Sequence, residues 1–310
     1  MSERDRLIES VVASGGLRHE IEDPHAAHLA VVGHRAVAAR TVDGLTVDAV
    51  ESDDDITVRV RLAPGVKLDH PVCLCFGLLG AEGRQHVTMD VGLGKGSEAH
   101  VKAHCVFPGA ERVTHAMDAT VRLDEGARMR YDEVHLHGPG GVDVEARAKI
   151  TLGTGARYIT DFSLLEGRVG HLVIDFDVDA GERAIAEMSA RVYAHGDDRV
   201  EIRERVALAG PGARSLIRSR IALDGDAEAV VTGITEGNAP GARGHVDCTE
   251  IVRERAVARA VPLVSVSHPG AKVTHEAAIG SVDQAQLDTL MSRGLSPERA
   301  VDVIVKGILG

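Results

Sequence analysis

Aromatic side chains are scarce in this 310-residue chain, which has no tryptophan, three tyrosines and four phenylalanines. Proteins that stack nucleic-acid bases or grasp polysaccharides use exposed aromatic rings, so this composition disfavours both kinds of ligand. Basic residues are outnumbered as well, because 35 lysines and arginines stand against 47 aspartates and glutamates, a formal charge of −12. Such a chain repels a phosphate backbone, and nucleic acid is not expected as a partner.

The sequence also has few cysteines and no long apolar run. No stretch approaches the length of a membrane-spanning helix, and the first residues, MSERDRLIES, carry no apolar segment after their charges. We therefore expect a cytoplasmic protein without membrane association. Cys73, Cys75, Cys105 and Cys248 form no CxxC pair and are too few to cross-link so long a chain, which predicts reduced thiols.

Glycines followed by a small or acidic residue recur at nearly constant intervals. The interval is about 29 residues throughout, except on either side of Gly181. Further turns lie halfway between these glycines. Each turn introduces a short run that alternates apolar and polar residues, such as ARMRYDEVHLH, as half-buried strands do. The glycines are Gly96, Gly126, Gly155, Gly181, Gly212, Gly241 and Gly270.

Two strands and two turns per period of about 29 residues predict one coil of a solenoid. We therefore predict a mainly β fold, a parallel β-helix that is right-handed by the crossover rule. The predicted divisions are an N-terminal helical or mixed segment over residues 1–65, the β-helix over 66–280 and a C-terminal helical segment over 281–310.

The two ends of the chain show helical rather than strand periodicity. Leu7, Ile8, Val11 and Val12 have helical spacing before Gly15-Gly16 ends the pattern. Near the C-terminus, a capping box from Ser281 to Gln284 predicts a helix that ends at Gly294, and Pro297 begins another. The apolar stripes of these last helices either pack on the final coil or bind another protein. Their residues include Leu287, Leu290, Met291, Val301 and Ile304.

Cys248, His275 and Glu276 are the candidates for chemistry near the end of the predicted β-helix. Measured from the turn glycines, Cys248 and His275 fall on the same strand face in consecutive coils, and Glu276 falls on the other. A thiolate, an imidazole and a carboxylate suit iron or zinc. The alternative is a buried cysteine that acts as a small hydrophobe beside an exposed His-Glu pair.

Two further histidine groups have less specific patterns. His135 and His137, in YDEVHLHG, project from one strand face and could hold a metal, although a solvent-facing pair is the more common arrangement. His104 and Cys105 alternate in direction and are expected to be structural.

Common catalytic and nucleotide-binding motifs are missing from the sequence. VGLGKGSEAH lacks the spacing of a phosphate loop and enters a strand, and neither GxSxG nor HExxH occurs. We expect no nucleotide to bind this chain. An enzyme would have to use Cys248 and His275 as nucleophile and base, and this remains the alternative function.

The segments GHVDC and PGAKVTHEAAIGSVDQAQLDTLMSRGLSPERAVDVIVKGIL closely resemble the SufB/SufD scaffold family of the SUF iron–sulfur cluster assembly system, in particular the short archaeal-type SufB proteins. AHCVFPG, YDEVHLHG and LLEGRVG extend the resemblance to most of the chain from about residue 70. This resemblance implies a right-handed parallel β-helix and a non-enzymatic scaffold that binds a transient iron–sulfur cluster.

The resemblance also implies roles for residues and partners. The family's sulfur-accepting cysteine corresponds to Cys248, and its His-Glu motif corresponds to His275 and Glu276, which would be cluster ligands. A homodimer would bring two copies of each residue together. The terminal helices would dock a SufC-type ABC ATPase, and the sulfur donor remains unknown.

Overall fold

The computed structural model describes residues 1–13, 15–16 and 18–309 of the chain. Ser14, Leu17 and Gly310, which belong to the predicted terminal segments, lie outside the described residues. The described helices are α1 (Glu3–Ala13), α2 (Arg18–Ile21), α3 (Gln284–Ser292) and α4 (Pro297–Leu309). The strands are β1 (His28–Val32), β2 (Arg35–Arg40), β3 (Leu45–Glu51), β4 (Ile56–Leu62), β5 (Val72–Gly77), β6 (Glu82–Leu93), β7 (Glu98–Phe107), β8 (Arg112–Leu123), β9 (Arg128–His137), β10 (Val142–Leu152), β11 (Arg157–Glu166), β12 (Gly170–Ala180), β13 (Ile185–Ala194), β14 (Arg199–Leu208), β15 (Arg214–Leu223), β16 (Glu228–Gly237), β17 (Arg243–Val252), β18 (Val257–Val266) and β19 (Lys272–Gly280).

Two sheets run the length of the molecule, and from β4 onward successive strands alternate between them. Sheet A contains β1, β2 and the odd-numbered strands from β5 to β19, and sheet B contains β3, β4 and the even-numbered strands from β6 to β18. From β5 onward each strand pairs in parallel with the strand one coil later, for example β15 with β17. This topology confirms the predicted parallel β-helix.

The core lies between the sheets and is mainly aliphatic. Alternate residues of each strand point inward, and Leu164, Leu172, Ile174 and Met188 are among the largest side chains that are fully buried. Burying one such side chain contributes about 1.5–3 kcal/mol. Repetition of this packing in every coil compensates for the scarcity of aromatic residues.

Left-handed backbone conformations mark the turns between strands. Gly155 and Gly212 have positive φ as expected, but the intermediate turn has its positive φ at Arg183 (53°) rather than at Gly181. Arg183 lies one regular period after Gly155 and one regular period before Gly212. The irregular glycine spacing therefore reflects one turn in which a non-glycine residue takes the left-handed position.

The segment that precedes β5 contributes strands to both sheets. β1 pairs in parallel with β5, and β4 pairs in parallel with β6. Two antiparallel pairs, β1 with β2 and β3 with β4, complete this end. The apolar face of α1 packs against the outer surface of sheet A, where Leu7, Ile8 and Val11 cluster with Cys75 and Val106.

The C-terminal helices begin and pack differently from one another. α3 has Asp283 as its N-cap, whose carboxylate accepts a hydrogen bond from the Gln286 backbone, so the predicted capping box at Ser281 is wrong. The cause is that Asp283 directly precedes the first helical residue and satisfies the free N–H groups itself. Over the described residues, neither these helices nor those at the N-terminus are long and apolar enough to cross a membrane.

α4 covers the side of the β-helix rather than its end. Val301, Val305 and Leu309 pack against Tyr193, Ala222 and Ile251 on the outer face of sheet A. Among the described residues, β18 and β19 are consequently the last strands of their sheets, and each has one edge without a partner strand. We call these two strands the open end.

Candidate functional site

Cys248 lies in the interior of the β-helix, one coil before the open end. It points inward from β17, is 0% exposed, and pairs in register with Ser219 of β15. Burial is the main reason that the pKa of this thiol is raised to about 11, while the Ser219 hydroxyl opposes the shift. In the isolated chain the thiol is therefore protonated at neutral pH.

A buried carboxyl group accompanies this thiol. Glu250 follows Cys248 by two residues on β17, so both side chains point inward. The Ser219 hydroxyl donates a hydrogen bond of 3.5 Å to Oε1 of Glu250, and Oε2 has no partner among the described residues. Burial raises the pKa of Glu250 to about 7. We call Cys248, Ser219 and Glu250 the thiol pocket, in which Glu250 can accept or release a proton near neutral pH.

His275 shares the inward face with Cys248, whereas Glu276 does not. His275 pairs with Val246 and Glu276 pairs with Asp247 in the parallel ladder between β17 and β19. Because strands are about 4.8 Å apart and two residues span about 6.6 Å, the Cα atoms of Cys248 and His275 are about 8 Å apart. The predicted face assignments of all three residues therefore agree with the register.

The open end explains why His275 is exposed although it points inward. Val246 is 0% exposed because β19 covers it, but no further coil of the described chain covers His275 itself. Glu276 is exposed on the outer face of the same strand. Within one chain, the structure thus places the thiol and the imidazole on the same inward face of neighbouring coils and leaves the carboxylate on the rim.

Cys105 and the His135–His137 pair lie inside the β-helix at a distance from the thiol pocket. His135 and His137 are 2% and 3% exposed, so the solvent-facing arrangement favoured by the sequence is wrong. The same face of β9 carries Met129 and Tyr131, both of which are buried and fix the inward direction. Cys105 also points inward, while the adjacent His104 is buried on the opposite face, as alternation predicts.

Glu133, Glu204 and Glu250 are buried acidic residues that sequence reasoning missed. Glu133 points inward beside His135, and Glu204 points inward from β14. A signal was present in the alternating pattern, because each glutamate lies two residues from a position that is apolar or a cysteine. Parity alone therefore assigns these residues to the core, although it does not show what they contact.

The residues expected to bind a partner divide into buried and accessible groups. Val301 and Ile304 are 4% and 7% exposed and take part in the packing of α4 within the chain, so their side chains are not available to a partner. Met291 is 39% exposed, and Val303 and Ile308 on the outer side of α4 are 48% and 38% exposed. Of these predicted residues, Met291 is therefore accessible to a partner. On α4 the accessible apolar residues are Val303 and Ile308 rather than Val301 and Ile304.

Comparison with known proteins identifies the family. Residues 78–308 match the family model described as the SUF system FeS cluster assembly, SufBD core domain. The chain belongs to the SufBD family. An iron-sulfur cluster assembly SufBD family protein of Methanocaldococcus jannaschii is 33% identical over 98% of this chain and 96% of its own length. Another, from Pyrococcus horikoshii, is 33% identical over 100% of this chain and 94% of its own length.

Proposed function

We propose that this SufBD family chain is a non-enzymatic cytoplasmic scaffold on which an iron–sulfur cluster is assembled at a homodimer interface. Cys248 receives sulfur, His275 and Glu276 bind iron, and a SufC-type ATPase acts on the assembly. The observation that carries this proposal is the placement of a buried thiol one coil behind an exposed inward-facing imidazole at the open end.

The donor set at this position suits iron and sulfide as cargo. Thiolate and imidazole nitrogen are common ligands of iron, and a carboxylate adds a hard oxygen donor. The oxygen of Glu250 that has no partner in the described part of the chain is the kind of buried polar atom that a reaction at Cys248 could use. When the Cys248 thiolate attacks the outer sulfur of a donor persulfide, a new sulfur–sulfur bond forms on Cys248 and the bond in the donor breaks, so that the donor leaves as a thiolate. Glu250, with a pKa of about 7, can accept the proton that the Cys248 thiol gives up.

The open end provides the surface for a second copy of the chain. Leu263, Val264, Val266 and Ile279 are 48%, 42%, 51% and 51% exposed on β18 and β19. Two neighbouring strand edges with apolar side chains and unpaired backbone groups are rarely left in water. A two-fold dimer covers both ends with one self-complementary contact and contributes two Cys248, two His275 and two Glu276 side chains to one cluster.

The accessible apolar residues of α3 and α4 form the proposed ATPase surface. Met291, Val303 and Ile308 are partly exposed on the side of these helices that faces away from the β-helix packing. ATP hydrolysis would then occur in the partner, and its motion would change the dimer contact. Direct titration of the purified ATPase into the Val303→Asp and parent proteins tests this surface, and equal affinities would contradict it.

Anaerobic reconstitution with ferrous iron and sulfide tests the ligand assignment. During reconstitution, we expect the Cys248→Ser and His275→Ala variants to take up less than a tenth of the iron and sulfide that the parent takes up, and to lose its visible absorption. Glu276→Ala should show a smaller loss, because its side chain lies on the rim. Cys73→Ser, a substitution of another buried cysteine, serves as the control and should behave as the parent. Parent-like stoichiometry and spectrum in Cys248→Ser would show that the assignment is wrong.

The alternative enzyme would use Cys248 as a nucleophile and His275 as its base. Catalytic cysteines have partly exposed thiols with lowered pKa values. Cys248 is instead fully buried, and its pKa is raised to about 11. Thiol alkylation over a range of pH distinguishes the functions, since the enzyme requires rapid alkylation below pH 8 and the scaffold does not.

A further inference from the structure

A second cluster of ligating side chains lies in the same interior, and its cysteine, Cys105, is five strand spacings of sheet A from Cys248. Cys105 on β7 pairs in register with His135 on β9, and Glu133 lies two residues before His135 on the same inward face. Their sulfur, nitrogen and carboxylate oxygen atoms all lie within 4.8 Å of one another, and all three residues are buried. We call Cys105, Glu133 and His135 the buried triad.

The contacts within the triad are compatible with tetrahedral metal ligands. Sγ of Cys105 is 3.8 Å from Oε1 of Glu133, close to the separation of about 3.5 Å between sulfur and oxygen ligands of one zinc ion. Nε2 of His135 is 2.7 Å from the same oxygen. Ligands of one ion lie about 3.3 Å apart, so this nitrogen and oxygen need to separate by about 0.6 Å to admit it.

A hydrogen-bonded chain fixes the orientation of His135. His137 lies two residues after His135 on the same inward face of β9. Its Nδ1–H donates to the Arg168 carbonyl at 3.0 Å, which leaves Nε2 of His137 as the acceptor of the Nδ1–H of His135 at 3.2 Å. Nε2 of His135 therefore faces Glu133 and Cys105. Metal-binding histidines are commonly held in this way, with the second ring nitrogen donating to a fixed acceptor.

His115, on the opposite sheet, is the candidate for a fourth ligand, and its ring has to move toward the triad because its nitrogens are not among the atoms that lie within 4.8 Å of one another. It points inward from β8, is 2% exposed, and its ring centroid is 5.9 Å from that of His135. Its Nδ1 is buried and has no hydrogen-bond partner within the described ranges of the chain. A neutral imidazole has one nitrogen that can bind a cation.

Charge balance also favours a divalent ion. Sγ of Cys105 and the carboxyl group of Glu133 are in contact, and both residues are buried. A thiolate and a carboxylate together carry a charge of −2, which is costly in a protein interior unless it is compensated. One divalent cation neutralises both groups and binds all three kinds of ligand atom.

We propose that the buried triad, with His115 as fourth ligand, binds one divalent first-row transition-metal ion of the zinc or ferrous type. Sulfur, nitrogen and oxygen ligands in one set select such ions over magnesium or calcium. The enclosed position makes this a retained structural ion that is incorporated as the coils form, separate from cargo at the open end.

Cobalt(II) is a suitable probe, since a thiolate ligand gives it intense near-ultraviolet absorption and tetrahedral coordination gives it strong visible bands. The full chain carrying Cys248→Ser and His275→Ala, which removes the thiolate and imidazole ligands of the cargo, is produced in cells supplied with cobalt. We expect about one cobalt per chain with both kinds of absorption. Adding Cys105→Ser should remove the near-ultraviolet band, and adding Glu133→Gln should lower the cobalt content at least tenfold.

Cys73→Ser in the same background is the matched control and should keep the full cobalt content and spectrum. X-ray absorption of the cobalt-loaded background protein gives a measurement that does not depend on the folding of further variants, and it should show one sulfur ligand. Absence of bound cobalt, absence of sulfur from its ligands, or an unchanged spectrum after Cys105→Ser would overturn the proposal. Because Cys248 and His275 are substituted throughout, none of these results bears on cluster assembly at Cys248.

Discussion

Among single residues, Glu204 is a buried carboxyl group that stays protonated at neutral pH in the folded protein. It is 2% exposed, Oε2 has no partner among the residues that the structure describes, and burial raises its pKa to about 8. The ordinary pKa of 4.5 applies when the chain unfolds. Between these values the folded protein retains a proton that the unfolded chain releases, so the contribution of Glu204 to stability falls as the pH rises.

Replacing Glu204 with glutamine should remove this pH dependence. For the parent, the contribution from Glu204 to the free energy of unfolding decreases by about 2 kcal/mol from pH 6.5 to pH 8. Glu204→Gln should lose correspondingly less stability over this interval, as measured by urea unfolding at both pH values. Glu228→Gln changes an exposed glutamate and should match the parent. An equally steep loss in Glu204→Gln would show that the buried carboxyl is not the cause.

At the scale of structural elements, the backbone conformation of the turns between strands affects the free energy of unfolding. Arg183 adopts a positive φ, where non-glycine residues are strained by roughly 1–2 kcal/mol. Arg183→Gly should therefore increase the free energy of unfolding by about 1 kcal/mol, after allowance for the greater freedom of glycine in the unfolded chain. Thermal and urea unfolding measure this change.

Gly155 provides the reciprocal substitution at the equivalent turn one period earlier. No atom of the described residues lies within 4 Å of the position that a side chain's Cβ would occupy, so Gly155→Arg tests φ without a clash. It should destabilise the protein by about 1 kcal/mol, after the same allowance for the freedom of glycine in the unfolded chain. Changes of the same sign in both variants would contradict the explanation by backbone conformation.

The elements were predictable to the extent that they depend on local pattern. Turn spacing and strand alternation predicted the coils, and the inward direction shared by Cys248 and His275 followed from the same parity. His135 was predicted to face solvent because histidine is polar. Its even spacing from Met129 and Tyr131 places it instead on the buried face of β9. The register also explains why the triad escaped notice, since Cys105 and His135 are separated in sequence by one full period of the repeat.

Tertiary features that depend on several elements at once could not be predicted in this way. The sequence of α4 shows an apolar stripe, but only the fold shows that Val301 packs on Tyr193 and that Val303 remains exposed. The pairing of Ser219 with Glu250 likewise depends on two strands that are adjacent in the sheet but a whole coil apart in the chain. Periodicity predicts which side of an element is buried, whereas its neighbours decide what buries it.

At the scale of the whole molecule, the open end predicts the state of assembly. Val264 pairs with Thr235, which is 0% exposed, yet Val264 is 42% exposed because no coil of the described chain follows it. Val264→Lys should place charge in the proposed dimer contact and yield monomers in analytical ultracentrifugation. Val50→Lys, at a 53% exposed valine on β3, should remain dimeric. A parent protein that sediments as a monomer at all concentrations would contradict the homodimer.

The inner faces of β12 and β13 separate the two sulfur-containing regions. Every inward residue there is apolar, including Ile174, Phe176 and Met188. Cys105 and Cys248 are five strand spacings apart in sheet A, about 24 Å. At that distance, and without shared contacts among the described residues, substitutions act independently. The decreases in the free energy of unfolding caused by Cys105→Ser and Cys248→Ser should consequently be additive. The two thiols can therefore be studied separately in one molecule.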